Sequence, residues 1–193
     1  MTVAAVLLAA GGGTRFAGPR HKLLAEIDGR AVFRRALDHV LASRANGAVD
    51  RVIVVTGAVD LDIGDPTVTV VHNSGWQRGQ AGSLQLGLAE AASGGAEFAL
   101  VGLADQPFVP TAAWVTIARA ESEQPIVVAT YDGIRGPNPV RLHRSIWDQL
   151  PADGDEGARS LMRLHPEWID EVACVGSAAD IDTLEDLGQW TSF

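Results

Sequence analysis

Short, continuous apolar segments that alternate with helical patterns constrain the fold of this chain more than any other feature. Residues 52–55 and 68–71 are continuous runs of strand formers rather than alternating polar and apolar positions. Strands buried on both faces have this pattern, and parallel sheets covered by helices are buried in that way. The sequence therefore predicts an α/β protein: a three-layer, Rossmann-like fold with a mostly parallel central sheet.

The strand and helix signals alternate most regularly through residue 130, and the last third is less regular. With 193 residues and no repeat or linker, the chain is predicted to form a single domain, 1–193. The predicted strands are Val3–Ala10, Arg51–Thr56, Thr67–Val71, Phe98–Leu103 and Ile126–Thr130, with two more near Val140 and Val172–Val175. The predicted helices are Ala31–Ser43, Gly82–Ala92, Thr111–Ser122, Glu156–Leu164 and one after Thr183, and Pro137–Pro139 is predicted to be a loop.

Charge and cysteine content exclude several classes of protein. A net charge of −9 argues against a general binder of nucleic acids or of anionic membranes, since both need a basic surface. The single cysteine, Cys174, excludes an intrachain disulfide and a cysteine-based metal cluster. Val3–Ala10 is too short to span a bilayer and has no basic segment before it, so a cytoplasmic protein is expected.

A glycine-rich segment follows the first predicted strand and is the strongest candidate for a ligand site. Three glycines allow a tight turn whose N–H groups approach an anion, and Arg15 and Lys22 add positive charge nearby, which favours a triphosphate. The segment is neither a Walker A loop nor a dinucleotide fingerprint. A turn that only needs flexibility is the alternative interpretation. The candidate nucleotide-binding residues here are Leu8, Ala9, Ala10, Gly11, Gly12, Gly13 and Thr14.

Asp105 follows the predicted strand Phe98–Leu103 and is the candidate metal ligand. In parallel sheets, ligands bind outside the carboxyl ends of the strands, so Asp105 and the glycine-rich segment are expected at one rim. Mg²⁺ is commonly held by one or two carboxylates together with phosphate oxygens of the substrate. Asp105 could instead cap the turn that follows.

Three further segments have both a functional and a structural interpretation. Residues 72–84 lead into a helix whose free N–H groups could face a nucleotide, or Ser83 could simply cap that helix. Asp182 is either a second metal ligand or a helix N-cap with Glu185 as its capping-box partner. Asn138 lies between two prolines, which suits recognition but is also common in turns.

In their order along the chain, these motifs resemble those of the nucleotidyltransferases that act on the molybdenum cofactor. The shared patterns are L-A-A-G-x-G-x-R with a downstream Lys, L-x-D-Q-P, N-P-V, G-D-x-G-A-R and D-I-D-T-x-E-D-L. Each is weak alone, but five in order over nearly the whole chain are specific. The L-A-A-G form and Gln106 resemble the cytidylyltransferases more than the guanylyl-transferring molybdopterin-guanine-dinucleotide synthases, in which L-A-G-G is typical.

The resemblance implies transfer of CMP from CTP (or GMP from GTP) to molybdopterin, with Mg²⁺ as cofactor and pyrophosphate as product. A molybdoenzyme or its chaperone is the expected partner for the product. The resemblance implies catalytic roles for Arg15, Lys22 and Asp105, and metal binding by Asp105 and Asp182. It implies further nucleotide contacts by Asn73, Gly79, Gly82 and Ser83. It implies acceptor contacts by Gln106, Asn138 and Asp155. Transfer to another phosphorylated acceptor, or a non-catalytic module that binds a nucleotide or cofactor, remain alternatives.

Overall fold

A seven-stranded sheet lies at the centre of the computed structural model, which describes residues 1–190 and, for Pro137, the backbone only. The strand order is β5-β4-β1-β6-β8-β7-β9, and β8 is antiparallel to both of its neighbours while the other pairs are parallel. A separate two-stranded ribbon pairs β2 with β3. The strands are β1 (Val3–Ala9), β2 (Glu26–Ile27), β3 (Arg30–Ala31), β4 (Arg51–Thr56), β5 (Thr69–His72), β6 (Phe98–Leu103), β7 (Ile126–Tyr131), β8 (Ile134–His143) and β9 (Ile169–Ala173).

Helices cover both faces of this sheet. The α-helices are α1 (Val32–Ala45), α2 (Gln80–Ser93), α3 (Thr111–Arg119), α4 (Arg159–Leu164) and α5 (Leu184–Gln189). Short 3₁₀ helices are formed by Lys22–Leu24, Trp76–Arg78, Arg144–Gln149 and Pro166–Trp168. Within residues 1–190, no helix is both long enough and apolar enough to cross a membrane.

Strand β1 shows why the sheet is covered on both sides. All of its residues are buried, and alternate side chains enter two different cores. Ala5 and Leu7 pack in the core that contains α1 and α3, whereas Val6 and Leu8 pack in the core that contains α2. A strand between two apolar layers has no polar face, which explains its continuous apolar run. The predicted α/β class with a mostly parallel sheet is confirmed.

The predicted loop at Pro137–Pro139 is wrong, because these residues lie inside β8. The pairing of β7 with β8 is interrupted between Val128 and Thr130, so that Val140 and Arg135 on β8 face two nearly adjacent residues of β7. Proline has no N–H to donate to a ladder, and strands accept it where the ladder is broken in this way. The irregularity therefore accommodates both prolines without ending the strand.

The close packing of α2 on the sheet generates a stability prediction. A Cβ atom built on Gly87 would overlap a methyl group of Val6 and lie 3.2 Å from a methyl group of Val55. We expect Gly87→Ala to lower the free energy of unfolding by about 1–3 kcal/mol through overpacking, although alanine favours helices by about 0.5–1 kcal/mol. Urea unfolding measures the change.

Gly188→Ala in α5 is the matched control, because a Cβ atom there would meet no atom of residues 1–190 within 4 Å. It should leave stability unchanged or raise it. Equal effects of the two substitutions would contradict the packing described for Gly87.

Candidate active site

A cleft of about 630 Å³ opens where β1 and β6 end at the carboxyl edge of the sheet. The glycine-rich segment Leu8–Arg15 forms one wall, and the segment around Trp76 and Gly79 forms another. Asp105, Asp180 and Asp182 line it together with Lys22. The glycines and the carboxylates therefore lie at the same rim, as predicted from their positions after the carboxyl ends of the strands.

The glycine-rich loop is packed against the indole of Trp76. A Cβ atom on Gly12 would lie 2.6 Å from Cζ3 of Trp76 and 2.9 Å from its Cη2, whereas one on Gly11 would meet nothing within 4 Å. His21 contacts the same loop, with its Nε2 atom 3.0 Å from the carbonyl oxygen of Gly11. Only a residue without a side chain can occupy position 12 while the indole lies there.

Lys22 joins the loop to the carboxylates. Its Nζ atom donates to Oδ2 of Asp105 at 2.5 Å and to Oδ1 of Asp182 at 2.7 Å, and its side chain is only 11% exposed. Burial by itself would lower the pKa of Lys22, but the charge of Asp105 and the hydrogen bonds to Asp105 and Asp182 raise it above the usual value. Lys22 is therefore a fixed cation at neutral pH rather than a base.

Asp182 reaches Lys22 because it does not cap α5. Thr183 is the N-cap, and it forms a capping box with Asp186, whose carboxylate accepts hydrogen bonds from the backbone N–H groups of Asp182 and Thr183. The predicted cap, Asp182 with Glu185, is wrong by one residue. This shift leaves the carboxylate of Asp182 free to point into the cleft.

Arg15 lies at the outer edge of the same cluster. Its guanidinium is 2.8 Å from Oδ2 of Asp182, but its side chain is 75% exposed. Exposed ion pairs contribute little to stability because water screens them. Arg15 can therefore exchange Asp182 for an anionic ligand at small cost.

The carboxylates carry more negative charge than Lys22 neutralises. Oδ1 of Asp105 is buried and accepts no hydrogen bond from any described residue. Burial raises the pKa of Asp180, and the nearby charge of Asp105 raises it further. An unsatisfied carboxylate oxygen beside a second acid is an arrangement that a divalent cation would neutralise.

A cation here would need ligands from outside the chain. In residues 1–190, no three or more His, Cys, Asp or Glu side chains are grouped so as to enclose a metal ion. Mg²⁺ usually binds to one or two carboxylates and completes its shell with water and substrate phosphates. The residues fit a cation that arrives with, or is completed by, a phosphate ligand.

The segment before α2 differs from its prediction. The helix begins at Gln80, with Gly79 as N-cap at φ +107°, a conformation that favours glycine, so Ser83 lies inside the helix and is not its cap. Ser83 lines the cleft, and its Oγ accepts a hydrogen bond of 2.9 Å from Nδ2 of the buried Asn73. Neither Asn73 nor Gly82 is among the residues that line the cleft. Asn73 therefore positions Ser83 through this hydrogen bond without lining the cleft itself.

A second cavity, of about 730 Å³, adjoins the cleft over the antiparallel part of the sheet. Its lining is mainly apolar and includes Leu84, Val101, Val140, Leu142 and Met162. It shares three lining residues with the cleft: Leu8, Gln80 and Arg159. The two spaces therefore meet at a common boundary.

A hydrogen-bond network lies beneath this boundary. Gln106 donates to the carbonyl of Ala178 at 3.0 Å and to Oδ1 of Asp180 at 2.6 Å, and its Oε1 accepts from Nδ2 of Asn138 at 2.9 Å. Gln106 is 1% exposed and lines neither space, so it orients Asn138 and Asp180 instead of contacting an acceptor directly. Asn138 lines the second cavity, and Asp155 lines the cleft.

Seven residues that line the cleft were not among the predicted site residues: Leu23, Gln77, Leu103 and four that have a signal in the sequence. Trp76 and Gln80 lie in the segment that was predicted to contact the nucleotide, and Arg159 belongs to the quoted G-D-x-G-A-R pattern. Asp180 opens the D-I-D-T pattern, two residues before Asp182, and that spacing was the one available signal for it. The four residues are Trp76, Gln80, Arg159 and Asp180.

Comparison with known proteins identifies relatives of the whole fold. A family model described as a MobA-like NTP transferase domain matches residues 5–172. The Rv0371c protein of Mycobacterium tuberculosis H37Rv, solved in complex with manganese, is similar at 25% identity over 98% of both chains, with a TM-score of 0.75.

Two other solved structures are similar in fold. A Methanothermobacter nucleotidyl transferase has 24% identity over 97% of this chain and 95% of its own, with a TM-score of 0.81. The inositol-1-phosphate CTP transferase of T. maritima has 17% identity over 96% and 91%, with a TM-score of 0.70. No curated protein sequence matches the chain significantly.

The contact between Gly12 and Trp76 generates a prediction for the loop. Gly12→Ala should displace the indole, because the new methyl group would occupy the position of the ring edge. The displacement is measured as a shift of the Trp76 indole N–H signal in a ¹H–¹⁵N spectrum, assigned with Trp76→Phe.

Gly11→Ala, one residue earlier, is the matched control and should leave that signal in place. An unshifted indole signal in Gly12→Ala would show that the ring does not lie on the loop in solution.

Proposed function

The chain belongs to the family of MobA-like NTP transferase domains, and on that premise we propose that it transfers CMP from CTP to the phosphate of molybdopterin. The observation that carries the proposal is the position of Lys22. Its ammonium lies between Asp105 and Asp182 and beside the glycine-rich loop, inside a cleft large enough for a nucleotide. Cations, a glycine-rich loop and carboxylates in one cleft suit a triphosphate with a bound cation.

The proposed reaction is a direct displacement at the α-phosphorus of the triphosphate. An oxygen of the acceptor's phosphate dianion attacks, a new P–O bond forms, and the bond to the bridging oxygen of the β-phosphate breaks. Pyrophosphate leaves with that electron pair, and no proton has to be removed from the attacking dianion. Positioning and charge neutralisation supply most of the rate in such transfers.

Each part of the cleft has a distinct task in this reaction. The N–H groups of residues 11–14 and the side chains of Arg15 and Lys22 would hold the triphosphate and offset the charge of the departing pyrophosphate. Asp105 and Asp182 would hold Mg²⁺, which when bound supplies charge neutralisation at the phosphates. The unsatisfied Oδ1 of Asp105 and the manganese complex of the mycobacterial relative support a divalent cation.

Two features support CTP as the donor. Ala10 carries a methyl group where the guanylyl-transferring relatives have glycine, and a purine would be more hindered there than a pyrimidine. Ala10 lines the cleft, although it is only 3% exposed. The T. maritima transferase, which has the same fold, is named for its use of CTP.

The second cavity supports the choice of acceptor. A largely apolar space beside the cleft suits a ring system that carries its phosphate toward the donor, as molybdopterin does. Asn138 would contact the ring from the floor of that cavity, and Asp155 would contact the acceptor from the cleft side. A molybdoenzyme or its chaperone would then receive the product.

Asp105→Asn tests the proposed catalytic role. We expect transfer to fall by at least about 100-fold, by analogy with the loss of one preorganised electrostatic group, because a neutral amide holds the cation poorly. The measurement is pyrophosphate release with each of the four triphosphates, with and without molybdopterin.

Asp62→Asn is the matched control, since Asp62 is exposed and lies outside both cavities. It should leave the rate unchanged. Asp105→Asn activity within a few-fold of wild type at saturating Mg²⁺ would rule out the assignment.

Ala10→Gly tests the preference for CTP. One methyl group in a pocket discriminates by about 1–3 kcal/mol, or about 10- to 200-fold, so the variant should gain activity with GTP and retain activity with CTP. The measurement is kcat/KM for CTP and GTP in both proteins with the same acceptor.

A wild-type preference for GTP would eliminate cytidylyl transfer and leave nucleotidyl transfer. An unchanged ratio in Ala10→Gly would instead assign base selection to the segment 73–83, several residues of which line the cleft.

A further inference from the structure

Arg159 is distinguished from the other cations of the two cavities by its lack of a carboxylate partner. Lys22 pairs with Asp105 and Asp182, and Arg15 pairs with Asp182. Arg135 pairs with Glu171, and Arg163 pairs with Glu156. Within residues 1–190, no carboxylate pairs with the Arg159 guanidinium, which is thus the one cation lining either cavity that is left uncompensated by the protein.

The position of Arg159 adds a second distinction. It is the one cationic residue in the described chain that lines both the cleft and the apolar cavity, and the other residues shared by the two spaces, Leu8 and Gln80, are uncharged. A group in contact with Arg159 lies where the two spaces meet. In a transfer between a donor in one space and an acceptor in the other, the reacting groups have to meet at that boundary.

We propose that Arg159 binds the attacking phosphate of the acceptor and holds it in line with the α-phosphorus of the nucleotide. This inference rests on the proposed nucleotidyl transfer and names the acceptor by its chemistry: a phosphate monoester on a largely apolar body that fills the second cavity. A guanidinium suits the role because its planar donors bind a phosphate in two places and fix its orientation. It also screens the attacking dianion from the negative charge of the triphosphate.

The absence of a protein partner is consistent with a ligand-binding role. An arginine paired with a carboxylate must break that pair before it binds a phosphate, whereas the unpaired Arg159 needs no such exchange. Arg163 provides the contrast, because it lines the same apolar cavity on the same helix, α4, but is paired with Glu156.

The test uses small probes that separate the phosphate from the apolar body. Benzyl phosphate and benzyl alcohol are titrated into the full chain that has been saturated with Mg²⁺ and a CTP analogue whose α,β-bridge is a methylene group. The proteins compared are wild type, Arg159→Ala, Arg159→Lys and the control Arg119→Ala, which removes an exposed arginine that lines neither cavity. Urea unfolding of each variant verifies the fold.

We expect Arg159→Ala to weaken benzyl phosphate by about 10- to 100-fold, the value of a lost hydrogen-bonded charge contact. Arg159→Lys should lose less, since it keeps the charge but not the paired donors. Arg119→Ala should stay within about twofold of wild type, as for a surface substitution. Benzyl alcohol should bind equally to all four proteins, and the affinity of the CTP analogue should not change.

Three results would overturn the proposal. Benzyl phosphate could bind wild type no better than benzyl alcohol, or could bind Arg159→Ala as well as wild type. A loss of affinity for the CTP analogue equal to the loss for benzyl phosphate would assign Arg159 to the donor. A separate assay of pyrophosphate release by the wild-type protein distinguishes this proposal from the proposed function. If the wild-type protein releases pyrophosphate with CTP and molybdopterin, any of the three results overturns only the role of Arg159. If it releases none with any triphosphate, the proposed function and the role of Arg159 both fail.

Discussion

The ion contacts of Lys22 with Asp105 and Asp182 are the interaction on which the architecture of the cleft depends. They connect three parts of the chain that are 83 and 160 residues apart: the loop after β1, the end of β6 and the approach to α5. Three nearly buried charges in one place are costly to desolvate, and the hydrogen bonds between them offset part of that cost. The same contacts hold Lys22 beside the carboxylates in the cleft that the glycine-rich loop also lines.

This cluster is organised for ligand binding more than for stability. The cluster has more carboxylates than cations, because Asp180 adds a third carboxylate to Asp105 and Asp182. One oxygen of Asp105 also has no partner among the described residues. Natural proteins seldom leave a buried carboxylate oxygen unsatisfied unless a ligand, ion or water completes it. The exposed Arg15 and Arg159 line the same cleft as these carboxylates. A nucleotide and its cation would satisfy these groups together, which couples binding of the two.

The division of the carboxyl edge into two spaces follows from the sheet. The parallel strands β1 and β6 end at the cleft, whereas β8, which is antiparallel to β6, extends under the apolar cavity. The buried Gln106 connects the two regions through Asp180 and Asn138. A shift of Asp180 in the cleft can therefore move Asn138 in the apolar cavity through the hydrogen bonds of Gln106.

Local sequence was sufficient for the parts of the protein that depend on local physics. Continuous apolar runs predicted the buried strands β1, β4 and β6 within a residue, because burial on both faces leaves no place for polar side chains. The rule that ligands bind at the carboxyl ends of strands brought Gly11–Gly13 and Asp105 to one rim without any coordinates. Turn and cap chemistry was less decisive: Thr183 and Asp182 are both good N-caps, and only the packing of the C-terminal segment selects between them.

The amino-acid sequence by itself determined the α/β class, the strand centres and the glycine-rich loop with its nearby Arg15 and Lys22, since each is encoded over a few neighbouring residues. Tertiary structure alone decided which charges pair. Lys22 could have remained in solvent, Gln106 could have faced an acceptor, and Arg159 could have paired with a carboxylate as Arg163 does. These outcomes depend on distances between residues far apart in the chain, and pairing energies change steeply with distance and burial. No local pattern contains that information.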